Sequence, residues 1–407
     1  METERSYGPV QPTPGYLQLL HHYVHPHDEL KKAGYIFSKL SSTDLQRKKR
    51  CEKCCKVLKK ERQRNQPGEP KLPPASDAAM AGQNHIDLHN SNRASNAAVT
   101  ESQISPHTKQ ALDTAAKGIE RTRDGSSGNT SFICSYHPGQ VANRKWTCCN
   151  GPLFSKPCAG QHEHSPRHYN VGELEKNWQF YETKTVRLPT HVAAVVLDCE
   201  MGMASSGESE LIRLSVVDFF TGAVLIDSLV YPSVKMAHYN TRFSGVTKHS
   251  MENSRRHRKC ILGRDSARQA LYKFVGPDTV VIGHAGHQDL TSLRWTHHRI
   301  VDTLILETRK RRFEADMARR KEWEESEKNE MGESANPSST VEDEDNTAAT
   351  NLQEGGLSLK ALALKRLDRT IQVKGRGHDS LEDALATRDL LHWHIDAILK
   401  SATEGLL

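Results

Sequence analysis

The sequence predicts an α/β fold, a mixed sheet flanked by helices, preceded by a small Cys/His-rich module and by segments too polar to fold. Three observations predict it. Apolar runs of strand length crowd residues 191–305, first in succession and then alternating with helical patterns. Nine cysteines occur, several beside histidines. Only 36% of the 407 residues are hydrophobic while 26% are charged, so part of the chain cannot bury a core.

The elements follow in order. Residues 1–50 form an N-terminal segment with short helices expected over 16–23 and 35–45, ending in the basic run Arg47-Lys48-Lys49-Arg50. Residues 51–55 and 131–165 make up the Cys/His module. The stretch 56–130 between them is polar, aperiodic and poor in aromatics, and is expected to be a disordered insertion. Residues 190–400 hold the main domain. Its segment 309–355 is charged and then Ser/Asn/Asp/Glu-rich, a disordered or charged insertion that begins as an exposed helix.

Within the main domain, 192–197 is continuously apolar, as a strand buried on both faces should be. Residues 211–217 and 224–230 are two more strands, joined by a hairpin-length link containing Gly222. Asp265 or Ser266 is expected to cap a helix carrying Ala267, Leu271 and Phe274. Residues 279–282 and 299–302 complete the strands. Asp379 or Ser380 caps a last helix with Leu381, Ala384, Leu385, Leu391, Ile395 and Ile398 on its apolar face.

The net charge is +6 and the pI about 8.7, a mild basic bias that suits a polyanionic partner and equally solubility alone. No apolar run approaches the roughly 20 residues of a bilayer span, and the polar start is no secretory signal, so no membrane partner is expected. An intracellular chain is expected, nuclear or cytoplasmic, in which clustered cysteines point to metal before disulfides. The run 47–50 is a nuclear-type signal.

Three acidic elements carry the chemistry. Asp198-Cys199-Glu200 ends the first strand, and alternation points both carboxylates to one side. Such a pair repels unless a cation lies between them; in isolation it is more often solvated surface. Asp289 falls in the first turn of a helix entered through Gly283-His284-Ala285-Gly286, where acidic residues are common for dipole reasons alone. Asp383 falls in the first turn of the last helix, with His378 in the loop before it. Cys199 faces the other side of its strand and belongs to the core.

Taken together, the order and spacing resemble the DEDD exonucleases of the His subtype: Asp-x-Glu on a strand, Asp at a later strand-to-helix turn, then His-x4-Asp into a final helix. The stretches Leu197-Asp-Cys-Glu-Met-Gly202, Tyr239-Asn-Thr-Arg-Phe-Ser-Gly-Val-Thr247 and His378-Asp-Ser-Leu-Glu-Asp-Ala384 look like the RNA exonuclease branch, most of all the fungal RNA exonuclease 3 type. The resemblance covers roughly residues 190–400. Gln288 departs from it, where the branch often has Asn, and so does the insertion 309–355.

The resemblance implies a ribonuclease H-like fold and a 3′→5′ exoribonuclease using two divalent ions, Mg²⁺ or Mn²⁺, on RNA with a free 3′ end, in RNA processing or maturation. Asp198, Glu200 and Asp383 would hold one ion, Asp198 would bridge to the second, and Asp289 would ligate directly or through water. His378 would take the proton of the attacking water. A catalytically inactive RNA-binding scaffold on the same fold is the alternative, and DNA as substrate is a third reading.

Cys51, Cys54, Cys134, His137, Cys148, Cys149, Cys158 and His162 supply enough ligands for two tetrahedral Zn²⁺ ions. Their arrangement resembles the cysteine-and-histidine-rich modules that precede the nuclease domain in fungal RNA exonucleases. A structural role is expected, with RNA binding or docking of a protein partner as open alternatives.

Overall fold

The computed structural model describes residues 6–58, 132–332 and 356–403, apart from 144, 154 and 374. The disorder expected for 56–130 lies, from residue 59 onward, outside the described residues, as does 333–355 of the later insertion.

The N-terminal helices are α1 (Pro14–His22), α2 (His27–Lys32) and α3 (Ser42–Gln46). The Cys/His module carries four short strands: β1 (Cys134–Tyr136), β2 (Val141–Ala142), β3 (Lys145–Trp146) and β4 (Ala159–Gln161). Then come α4 (Glu173–Asn177) and β5 (Tyr181–Glu182). The sheet region runs β6 (Ala194–Ala204), β7 (Ser209–Asp218), β8 (Val224–Tyr231), β9 (Met236–His238), α5 (Thr241–Ser244), α6 (Lys248–Arg256), β10 (Ile261–Leu262), α7 (Gly263–Leu271) and β11 (Val280–Gly283). It continues through α8 (His287–Leu293), β12 (Trp295–Thr296), β13 (Ile300–Asp302), α9 (Thr303–Gly332), α10 (Leu359–Leu367) and α11 (Ser380–Thr403).

The sheet has the order β10-β8-β7-β6-β11-β13, with β9 also paired to β6. β6, β7 and β8 form an antiparallel meander, while β11 and β13 join parallel to β6. It is the mixed sheet that the apolar pattern predicted, and it has helices on both faces. Alternation along β6 decides which side chains meet which helices. Val195 and Leu197 face one core with Leu271, Leu290 and Leu293 of α7 and α8. Ala194 and Val196 face the other, with Ala384, Leu391 and Ile395 of α11. Burying both faces requires the unbroken run Ala194-Val195-Val196-Leu197.

The packed unit is wider than residues 190–400. Leu30 and Tyr35 enter the first core, and Tyr16 and Leu20 the second. No helix forms over 35–45 beyond Ser42–Gln46. Gly34, at φ +102°, ends the turn after α2, and Tyr35 is drawn inward, donating from its hydroxyl to Asp302 Oδ2 at 2.7 Å. The tertiary bond replaces the local helix.

One further expectation is corrected. Neither Asp265 nor Ser266 caps α7, which begins at Gly263 (φ +79°) directly after β10 pairs with β8; Asp265 instead bonds Arg268, and Phe274 lies past the helix end. At the start of 309–355 the chain is helical, as α9 continues unbroken from β13 to Gly332. Lys310–Glu314, Arg320–Glu324 and Lys321–Glu325 pairs support it at helical spacing. Among the described residues, no helix is long and apolar enough to cross a membrane.

Candidate active site

β11 pairs with β6 only as far as Val196 and ends at Gly283. Between Val196 and Met203, where β9 joins, this edge of β6 therefore has amide groups without a strand partner, and a buried amide needs an acceptor. Asp289 in the first turn of α8 supplies it: Oδ1 accepts from the Cys199 amide at 3.1 Å. One bond thus holds the second acidic element against the first. The turn that delivers Asp289 is itself pinned by Asp302, 1% exposed. Asp302 accepts from the amides of Ala285 (2.9 Å), Gly286 (3.2 Å) and Leu304 (3.0 Å) as well as from Tyr35. Ala285 sits at φ +56°, a strained conformation for a residue with a Cβ, and these bonds hold it there.

Asp198 and Glu200 lie on the α11 side of β6, opposite Ser215 and Arg213 of β7. Arg213 pairs with Asp227 and reaches Asp379 at 3.0 Å, while Ser215 meets Ser380 at 2.7 Å. Asp379 caps α11 by accepting from the Leu381 amide, so the start of that helix is fastened beside the two carboxylates. Asp383, in its first turn, faces them. Gln372 donates from its side-chain amide to Asp383 Oδ2 at 3.0 Å and from its backbone amide to Glu382 at 2.9 Å.

His378 stands at the rim, its Nδ1 4.0 Å from Asp383 Oδ2. Its loop packs against α5, where the His378 amide donates to the Phe243 carbonyl. A Cβ on Gly377 would come within 2.5 Å of the Gly245 backbone nitrogen, so only glycine allows that approach.

Electrostatics shows what the arrangement needs. Burial, then the charges of Asp289, Asp383 and Glu200, push Asp198 well above the usual carboxylate range. Burial raises Asp289 likewise, against the lowering effect of the Cys199 amide. Glu200 rises to about 8, through burial and then Asp383, although Arg213 opposes it. Asp383 rises to about 6 through burial, with Gln372 opposing. Burial and the Lys360 charge lower His378. Asp383 Oδ1 is buried without a hydrogen-bond partner. An all-oxygen donor set that resists carrying its own charge, with an orphaned acceptor, fits divalent cations such as Mg²⁺ or Mn²⁺.

The Cys/His module contains two groups that could hold a metal ion: Cys51, Cys54, Cys134 and His164; and His137, Cys148, Cys149 and Cys158. Within each, the four ligand atoms lie within 4.8 Å of one another. The Cys51 and Cys134 sulfurs are 3.7 Å apart and those of Cys148 and Cys158 3.5 Å. Those separations are too long for a disulfide and close to the ~3.8 Å edge of a tetrahedron with Zn–S bonds near 2.3 Å. β1 and β4, paired antiparallel, bring distant parts of the first group together. His162 is corrected: it belongs to neither group, its ring lies against Phe132, and His164 takes the fourth place. Two histidines separated by a single residue give spacing no means of choosing between them.

Besides His164, sequence reasoning missed Gln372, Arg213, Asp302 and Tyr35. Each acts through a partner distant in sequence, and no local pattern marks it.

No family model matches the chain. Curated relatives do. It is 30% identical over 314 residues to RNA exonuclease 3 of Emericella nidulans, covering 67% of this chain and 42% of that protein. The Candida albicans RNA exonuclease 3 matches at 25% over 274 residues, covering 66% and 56%. That of Eremothecium gossypii matches at 36% over 155 residues, 38% of each. The chain spans about half the length of the first two. The order of its acidic motifs and these relatives together put the chain on the RNA exonuclease branch of the DEDD exonucleases, similar to the fungal RNA exonuclease 3 proteins.

Proposed function

We propose that the chain is a metal-dependent 3′→5′ exoribonuclease acting in RNA processing or maturation. The observation that carries this reading is the meeting of Asp198, Glu200, Asp289 and Asp383, from three separate parts of the chain, beside the stretch of β6 between its β11 and β9 pairings, with His378 at the rim. Two divalent cations held by these carboxylates supply, when bound, charge neutralisation at the attacking and leaving oxygens of the phosphodiester. Cys199 and Gln372 orient Asp289 and Asp383 through the hydrogen bonds described. With Nδ1 turned toward Asp383, His378 accepts the proton of the attacking water at Nε2, and burial favours the neutral imidazole it needs. The two Cys/His groups hold structural Zn²⁺.

The test is incubation of the purified chain with 5′-labelled RNA and matched DNA in Mg²⁺, in Mn²⁺ or without either. The expected result is a ladder shortening from the 3′ end on RNA, dependent on the ion and absent in Asp198→Asn. Internal cuts, or a ladder that persists in Asp198→Asn, would overturn the reading.

A further inference from the structure

A cluster of carboxylates repels a polyanion, so an RNA strand seated there needs cationic partners close by. The chain has a run of them outside the acidic site. Arg255, Arg256, His257, Arg258 and Lys259 follow one another at the C-terminal end of α6, all exposed. Arg255 is engaged, donating to the Tyr231 hydroxyl at 2.9 Å and lying over its ring. Arg256, Arg258 and Lys259 have no ion-pair partner among the described residues. One or two cations at a helix C-terminus are accounted for by the helix dipole. Five successive basic residues exceed that need, and Arg258 holds φ +55°, in the left-handed region that favours glycine.

A groove of about 660 Å³ joins Lys259, the last residue of this run, to the candidate active site. Ser250, Ser254 and Lys259 line one side, and Arg376, Gly377 and His378 the other. Its acidic lining residues are engaged: Asp227 and Asp379 pair with Arg213, and Glu382 accepts from the Gln372 amide. Lys259 and Arg376 are the lining cations without an ion-pair partner among the described residues.

We infer that the RNA strand upstream of the scissile bond leaves His378 along this groove and lays its phosphates on Arg256, Arg258, Lys259 and Arg376. The ligand's identity rests on the exoribonuclease reading; the groove's continuity with His378 and its unpaired cations supply the path.

The test is binding of a 5′-fluorescein-labelled 20-nucleotide single-stranded RNA, by anisotropy, in the Asp198→Asn background at several salt concentrations. Arg256→Gln/Arg258→Gln/Lys259→Gln is expected to weaken binding at least about tenfold at 0.1 M salt. It should reduce the slope of log affinity against log salt by about 2, at ~0.7 for each phosphate no longer neutralised. Arg376→Gln, on the opposite wall, is expected to weaken it about threefold. Arg319→Gln/Arg320→Gln/Lys321→Gln removes the same charge from α9 and is expected to leave binding unchanged; melting temperatures confirm that each variant folds. No binding by the parent, unchanged binding by the α6 triple variant, or equal weakening by the α9 control would each overturn the inference. The exoribonuclease reading is judged separately by cutting. A chain that binds through α6 but never cuts keeps the groove and loses the enzyme; one that cuts while the α6 variant binds normally loses only the groove.

Discussion

The backbone amide of Cys199 donates to Asp289 Oδ1 at 3.1 Å, so the residue between Asp198 and Glu200 is also the anchor of the third carboxylate. Asp289→Asn keeps an acceptor for that amide and removes a buried charge that burial already disfavours. Without added divalent ion the variant should melt no lower than the parent. Mg²⁺ should raise the melting temperature of the parent and not of the variant, and cutting should fall by at least about 10². Asp289→Ala orphans the amide and should cost about 1–3 kcal/mol of stability. Equal melting of the Asn and Ala variants would show that the bond contributes nothing.

Gln372 should act on turnover through Asp383. It holds φ +53° and donates to Asp383 Oδ2 at 3.0 Å, one of the few groups opposing that carboxyl's neutralisation. Gln372→Ala should lower kcat about tenfold and stability by about 1 kcal/mol, with KM for RNA little changed. Measured kinetics with unchanged kcat would remove Gln372 from the site.

Acid should expose a three-helix ion pair. Glu307 of α9, 2% exposed, is held by Arg366 of α10 and His394 of α11. Burial alone would raise its pKa, but the His394 hydrogen bond and the Arg366 guanidinium bring it down to about 2. A depressed carboxyl stabilises the fold fully above its unfolded value of 4.5, and that contribution, of order 3 kcal/mol, is lost as pH falls toward 2. Urea unfolding of the parent and of Glu307→Gln should therefore differ most near pH 6 and converge only toward pH 2. A gap that stays constant would assign the stabilisation to packing.

Metal content should separate His164 from His162. After dialysis against a mild chelator, the parent and His162→Ala should each retain two zinc ions, and His164→Ala one. Matching retention in the two variants would refute the first group as drawn.

Local pattern determined a good deal by itself. The unbroken apolar run of β6 requires a strand covered on both faces, and two-residue alternation then puts Asp198 and Glu200 on one side. Glycine before α8 and an acidic cap before α11 place Asp289 and Asp383 in first turns. These are consequences of neighbours in the chain, which is why the sequence carries them. The tertiary structure decided what depends on distant partners. It drew Tyr35 out of a helix toward Asp302, made Gln372 the hydrogen-bond partner of Asp383, tied α11 to β7 through Arg213 and Ser215, and chose His164 over His162. Hydrogen bonds and ligand sets of this kind join residues tens to hundreds of positions apart, and only the folded chain brings their atoms within reach.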